Sequence, residues 1–338
     1  MPDQIRSDNY QLGRSSKVVV ITTGGTIGSI FDPAIGKDIG LAGEDAVRAI
    51  VLGRGAEALP LWRRSSVDFG LDQALELADH IEKAVEECSA DGVVVTLGTD
   101  TLEESAFVLE MVWPGEVPCV VTGSMLTPDA PGSDAEKNVG DAIRVAGRRE
   151  HRLLGVMAVL GGYVHSARYV YKGEPTGTQA FRSYGPGPIG SVRDSELRPS
   201  PQYVSTDLHL PKPAHLNTPF VPLITMVGGD DGRILRSVGS LRPAGVVICG
   251  TGAGNVSSAA LAEVSRLRAR GVPVVLASRT GKPAVVPEIE GSPSRFALRE
   301  IGCVFAASLN GVKARLLLMM LIANGLDKDL TRWFETPA

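Results

Sequence analysis

The chain has no basic block, no long apolar run and no paired cysteine motif, and each absence removes a class of function. Its 34 Lys and Arg stand against 38 Asp and Glu, a formal net charge of −4. No basic run is long enough to track a phosphate backbone, so nucleic acid is not an expected partner. No window approaches the ~18 apolar residues of a membrane span; the stretch 314–323 is too short and is interrupted by Arg315. The first seventeen residues are polar, carry Asp3 and Asp8 and lack an apolar centre. They read as a flexible tail rather than a signal peptide, which makes the cytoplasm the expected compartment. Cys88, Cys119, Cys249 and Cys303 are widely spaced with no CxxC pair, as expected of free thiols in a reducing compartment. The five histidines (His80, His151, His165, His209, His215) show no metal-ligand spacing, so no metal site is expected.

What is present is ordinary in bulk and specific in arrangement. The 338 residues are 43% hydrophobic and 21% charged, the composition of a soluble globular enzyme with enough chain for two domains. The organising stretch is Val18-Val19-Val20-Ile21-Thr22-Thr23-Gly24-Gly25-Thr26-Ile27-Gly28. Its β-branched run reads as a buried strand of a parallel sheet, and its glycines allow a sharp turn close to a ligand. Residues 31–40 mix Pro33, Gly36 and Gly40 without a period and read as a mobile loop, placed where a lid would sit. Helical spacing resumes over 43–52 and is strongest over 71–88.

The same unit then recurs. Val93-Val94-Val95 reads as a strand, runs into Thr96-Leu97-Gly98-Thr99-Asp100-Thr101, and is followed by a helix over 102–112 with Glu103 and Glu104 in its first turn. Strands over 118–122 and 156–160 end in Gly123-Ser124 and Gly161-Gly162, with a helix over 138–145 between them. This alternation predicts a parallel sheet wound with helices on both faces. Prolines crowd 185–216 and suggest a hairpin and a linker. From residue 220 a smaller α/β pattern restarts, with strands over 223–227, 245–249 and 272–277. Ser257 and Asn310 are candidate helix caps. The expected organisation is a tail over 1–17, an N-terminal catalytic domain over 18–205, a linker over 206–218 and a C-terminal α/β domain over 219–338.

Hydroxyl-bearing turns at neighbouring strand ends would gather Thr23, Thr26, Thr99, Asp100 and Ser124 at one sheet edge. A threonine hydroxyl needs a base to become a nucleophile. Asp100 and a desolvated lysine from another loop are suitable helpers, and glycine-turn N–H groups suit an oxyanion. Taken singly, Thr23 to Thr26 reads equally as a tight turn, Asp100 as a helix cap and Asn255 as a cap of the helix that follows it. The glycines do not form a dinucleotide fingerprint.

These motifs together resemble bacterial-type L-asparaginases. Thr23-Gly24-Gly25-Thr26-Ile27-Gly28 and Leu97-Gly98-Thr99-Asp100-Thr101-Leu102-Glu103-Glu104-Ser105 are similar to that family's two signatures. Thr122-Gly123-Ser124-Met125, Ser133-Asp134 with Asn138, Tyr184-Gly185-Pro186, residues 252–255, Ser278-Arg279 and Ser308-Leu309-Asn310 with Lys313-Ala314-Arg315 follow in the family's order. The resemblance implies hydrolysis of a side-chain amide, of asparagine or glutamine, through a threonine acyl-enzyme without a cofactor. It implies Thr26 as nucleophile and Thr99, Asp100 and Lys172 as a second triad. It further implies Gly25, Ser66, Val67, Gly98, Thr99, Asp100 and Ser124 in substrate binding, with Asp100 toward the α-amino group and Ser66 toward the α-carboxylate. Asn255 matches a residue given to a neighbouring subunit's site, which implies a homodimer or homotetramer with shared sites. Three departures stand out. No tyrosine lies between Thr26 and Leu102, Leu97 replaces a signature histidine, and Val67 replaces a polar substrate contact. A lid-contacting glutamate falls at Glu288 or Glu290. The departures leave room for a bulkier or less polar amide, or for a non-catalytic amino-acid-binding protein.

Overall fold

The structure is a computed structural model that describes residues 16–34, 37–40, 43–193, 196–200, 209–214, 217–282 and 293–335. Residues 1–15 of the expected tail, and 206–208 and 215–216 of the expected linker, lie outside the described residues. The chain opens with β1 (Val18–Thr22), a 3-10 turn over Thr26–Gly28, β2 (Ser29–Asp32) and β3 (Lys37–Gly40). Next come α1 (Glu44–Gly53), β4 (Glu57–Pro60), α2 (Leu71–Cys88), β5 (Gly92–Thr96) and α3 (Leu102–Val112). These are followed by β6 (Cys119–Thr122), α4 (Ala135–Ala146), β7 (Met157–Leu160) and β8 (Tyr163–Ser166). Four short strands complete the first half: β9 (Val170–Lys172), β10 (Phe181–Ser183), β11 (Gly190–Arg193) and β12 (Glu196–Pro199).

The main sheet has the order β12-β11-β8-β7-β6-β5-β1-β4. It is parallel from β4 through β7 and antiparallel from β7 through β12. The expected parallel sheet is therefore a mixed one. The change comes where Gly161-Gly162 turns the chain straight back instead of through a helix, with φ of 59° and 82°. Residues 31–40 also differ from expectation. Residues 29–32 and 37–40 form an antiparallel hairpin, Ser29 opposite Gly40 and Asp32 opposite Lys37, with Pro33 entering the turn, where a missing N–H costs nothing.

The buried runs work as two-sided strands. Val19 and Ile21 enter the core formed with α2 and α3, while Val18 and Val20 enter the one formed with α1 and α4. Val93 and Val95 against Val94 repeat this split, as the period of two requires.

The second half contains β13 (Leu223–Thr225), α5 (Arg233–Ser240), β14 (Val246–Gly250), α6 (Ser258–Ala269) and β15 (Val274–Ser278). It continues with α7 (Pro293–Glu300), β16 (Val304–Phe305), α8 (Gly311–Ala323) and α9 (Leu330–Phe334). Its four-stranded sheet β13-β14-β15-β16 is parallel. Val246 and Ile248 pack with α5 and α6 in a core of their own. Val247 and Cys249 face the other way, toward Leu317 and Leu321 of α8, and join the same core as Phe107 and Met111 of α3. One apolar core thus spans both halves. The Ser257 and Asn310 side chains cap α6 and α8 as their sequence positions suggest, each accepting a backbone N–H at 3.0 Å.

Candidate active site

Three parallel strands bring the two threonine turns to one level. Thr22 of β1 is in register with Thr96 of β5, and Thr96 with Thr122 of β6. The residues that follow leave the sheet at its C-terminal edge, where α/β sheets bind ligands. Thr23 ties the first turn to the second by donating its hydroxyl to the Thr96 carbonyl at 2.8 Å. The connection after β4 closes over them, with the Leu61 N–H donating to the Thr22 carbonyl at 2.9 Å and the Arg64 N–H to the Thr23 carbonyl at 3.1 Å.

Glycine is required where these backbones cross. Gly25 has φ of 79°, and a Cβ there would stand 2.4 Å from Gly98 Cα. A Cβ on Gly98 would stand 2.6 Å from Ser66 Oγ. The turns of Gly25, Gly98 and Ser66 are therefore stacked without space for a methyl group. Thr26 opens its 3-10 turn from this stack, and the Gly28 N–H and the Ser29 hydroxyl both donate to the Gly25 carbonyl at 3.0 Å. The turn is fixed and the Thr26 side chain is only half-buried.

Thr99, Asp100 and Lys172 form one hydrogen-bonded group. Lys172 Nζ donates to Thr99 Oγ1 at 3.0 Å and to Asp100 Oδ1 at 2.7 Å. Thr99 is buried, the Lys172 side chain is 16% exposed and the Asp100 side chain 60% exposed, so the group runs from the interior to solvent. Glu103, in the first turn of α3, accepts the Lys172 backbone N–H. Thr101 donates its hydroxyl to the Ser66 carbonyl at 2.6 Å, joining the second turn to the Ser66 segment.

Thr26, Thr99 and Asp100 line a cavity of about 410 Å³ together with Gly25, Gly98 and Ser66. That volume is in the range of small-molecule sites. Ser29, Arg63, Arg64 and Ser65 complete its wall. Sequence reasoning missed these four, although Arg63-Arg64-Ser65 stands directly before Ser66 and was available as a signal. Arg63 is paired with Glu44 at 2.5 Å, and the Arg64 guanidinium lies 5.1 Å from the Trp62 ring centroid. Sequence reasoning also missed Glu103 as the group holding Lys172, because that contact spans 69 residues.

The remaining expected site residues are placed elsewhere in this chain. Val67 follows Ser66 in a 3-10 turn, is 63% exposed and is not among the cavity's lining residues. Ser124 is buried, and its hydroxyl donates to the Leu126 carbonyl at 2.6 Å. The turn that carries it is held by Asp134, which accepts the Met125 and Leu126 N–H groups at 3.1 Å, and by Asn138, which donates to the Gly123 carbonyl at 3.0 Å. Asn255 is also absent from the cavity wall, and its side-chain oxygen accepts the Ser294 hydroxyl at 3.0 Å. Glu288 and Glu290 lie outside the described residues. Among the described residues no three His, Cys, Asp or Glu side chains cluster so as to hold a metal ion, and no helix is long and apolar enough to cross a membrane.

A hydroxyl on a rigid turn shares a cavity with a second hydroxyl that accepts from an amine, and the same amine donates to a carboxylate. That arrangement can activate an oxygen nucleophile and relay its proton. Comparison with known proteins agrees with the two-part architecture. Residues 17–203 match the family described as "Asparaginase, N-terminal", and residues 220–334 match "Glutaminase/Asparaginase C-terminal domain". The chain is 36% identical to a protein named "Probable L-asparaginase" from Deinococcus radiodurans, over 72% of this chain and 75% of that protein. It is 27% identical to the "Glutaminase-asparaginase" of Pseudomonas fluorescens biotype A, over 94% of this chain and 90% of that protein. The crystal structure of a probable cytoplasmic L-asparaginase from Campylobacter jejuni superposes with a TM-score of 0.81 at 26% identity, covering 95% of this chain and all of that one. The chain belongs to the asparaginase family.

Proposed function

We propose that this protein hydrolyses the side-chain amide of L-asparagine, and of L-glutamine as an alternative substrate, to the acid and ammonia. The observation that carries this reading is the Lys172 amine bridging Thr99 and Asp100 in the wall of the cavity that also holds Thr26. Thr26 Oγ attacks the carboxamide carbon, the C–N bond breaks, and the nitrogen leaves as ammonia with the threonine proton. Water then cleaves the resulting ester, releasing the carboxylic acid and restoring the hydroxyl. Lys172 and Asp100 shift the Thr99 proton so that Thr99 orients and activates the attacking oxygen. Backbone N–H groups of the glycine turns receive the oxyanion. Ser66, Gly25 and Gly98 hold the α-carboxylate and Asp100 the α-ammonium, while Ser124 shapes the amide end from behind the Gly123 turn. No cofactor enters the reaction.

In this reading residues 18–205 form the catalytic unit, 206–218 the linker and 219–338 the C-terminal unit. Asn255, away from its own chain's cavity, serves the site of a second copy in a homodimer or homotetramer. The compartment is the cytoplasm, the location that the Campylobacter jejuni relative carries in its own name.

The test is ammonia release from L-asparagine, L-glutamine, their D-isomers and larger amides, comparing the wild type with Thr26→Ala. We expect Thr26→Ala to lose at least about 10³-fold in kcat, as removal of a covalent nucleophile does. Equal turnover by both proteins removes Thr26 from the mechanism. One observation favours a second reading. Val67, where the family has a polar substrate contact, is exposed beside the Ser66 turn. A bulkier or less polar amide then outcompetes asparagine in the same panel. A ligand that raises Tm while no amide turns over would mark a binding protein instead.

A further inference from the structure

Helix α8 is apolar nearly throughout, and one lysine is set inside it. Lys313 is fully buried. Its ammonium group donates to the carbonyls of Ala167 at 2.8 Å, Arg168 at 3.1 Å and Val170. A lysine ammonium has three N–H bonds, and all three are used. Ala167 and Arg168 lie in the bend between β8 and β9, outside any ladder, where buried carbonyl oxygens need donors from elsewhere, and Val170 opens β9. The Tyr184 hydroxyl supplies one more, donating to the Arg168 carbonyl at 3.0 Å.

This bend leads directly to the catalytic lysine of the reading above. Val170 is two residues before Lys172 on β9. On the other side of that strand end, Glu103 accepts the Lys172 N–H. The backbone that delivers Lys172 is thus gripped by a cation from α8 at its carbonyls and by an anion from α3 at its amide. The groups facing Lys313 are consistent with a cation held for its contacts. Glu103, Glu104 and Glu110 of α3 favour its charge, and Arg168 opposes it. The Phe107 and Tyr184 rings lie 5.8 and 5.6 Å from Nζ. Burial nonetheless pushes the amine down to about 7, so the site retains a lysine at a cost that an apolar residue would avoid.

We infer that Lys313 is a positioning residue for the reaction: it fixes the β8–β9 bend so that Lys172 reaches Thr99 and Asp100. The inference rests on the Thr99–Asp100–Lys172 group acting as proposed above. It makes a helix of the C-terminal half part of the apparatus that sets up the proton relay. Lys313 has no contact with the cavity that holds the substrate, so it acts on kcat and leaves substrate binding alone.

The experiment is a double-mutant cycle on L-asparagine turnover, with Lys313→Met, Lys172→Met and the double variant assayed at enzyme concentrations high enough to follow residual ammonia release. Lys313→Met is expected to lower kcat about 100-fold, the loss that a displacement of roughly 1 Å produces, with KM changed by less than about threefold. In the Lys172→Met background it is expected to cost less than about threefold, because the group it positions is gone. A purely structural lysine would give the same fold-loss in both backgrounds, and that result overturns the inference, as does full kcat in Lys313→Met. If Lys172→Met itself retains wild-type turnover, the triad fails and this inference with it. Reduced turnover in Lys172→Met with additive losses removes this inference alone. Where Lys313→Met does not accumulate as folded protein, Tyr184→Phe replaces it in the same cycle, since it takes away the other donor to the Arg168 carbonyl. A non-additive loss in kcat then supports positioning through the bend, and additive or absent loss overturns it.

Discussion

His165 sits on β8 with Nδ1 2.8 Å from Ser183 Oγ, and its Nε2 is buried without a hydrogen-bond partner among the described residues. Burial, assisted by Lys313 and Arg182, pushes its pKa down to about 4 from an ordinary 6.5. In that interval the unfolded chain binds a proton that the folded protein refuses, so stability rises with pH from about 4 to about 6.5 and is lost on acidification. The group's share is on the order of 3 kcal/mol. Urea midpoints of wild type and His165→Gln across this interval check it: the wild type is expected to show the steeper fall toward low pH, and parallel curves would remove His165 as a cause. Single residues also mark what was legible in the chain. Thr26 and Thr99 were readable because their chemistry is local, a hydroxyl in a glycine turn directly after a strand. Lys172 carried no local signal and entered only through family resemblance, since its partners Thr99 and Glu103 lie 73 and 69 residues away. Arg63 and Arg64 look like any exposed pair until the Leu61 and Arg64 amides bind the Thr22 and Thr23 carbonyls and bring them to the cavity.

Among the elements, those with a strong period were the ones the sequence announced. Helix α2 has eight buried residues along one stripe and runs over its expected span, Leu71–Cys88. The hairpin of β2 and β3 was hidden because Pro33 and the glycines around it resemble loop chemistry, and four-residue strands carry too little alternation to oppose that. The antiparallel strands β8 to β12 are equally short, and β8 is paired with β7 by the Gly161-Gly162 reversal rather than by its composition. Caps were more transparent, because a hydroxyl or amide side chain before a helix has one local use. Ser257 accepts the Ala260 N–H at 3.0 Å and donates to the Asp230 carbonyl at 2.7 Å. Ser257→Ala is expected to lower stability by about 1 kcal/mol while leaving kcat and KM unchanged. Denaturant unfolding beside the ammonia assay checks both halves of that expectation.

In the molecule as a whole, the core that α3 and α8 share with both sheets makes the two halves one folding unit. Residues from Val19 to Phe334 belong to it. Unfolding is therefore expected as a single transition rather than two. The tryptophans provide the check, because Trp62 and Trp113 report on the first half and Trp333 on the second. A W62F/W113F protein followed through Trp333 fluorescence is expected to have the same urea midpoint as far-UV circular dichroism of the same sample. Midpoints that separate would show that the halves melt independently.

The shared core also limits how such chains diversify. Two units joined only by a linker can be exchanged between relatives like interchangeable parts. Here α8 carries nine buried residues into a seam completed by α3, and a foreign half would meet that seam with the wrong shapes. Exchange of one half is expected to be harmless only when both sides of the seam travel together.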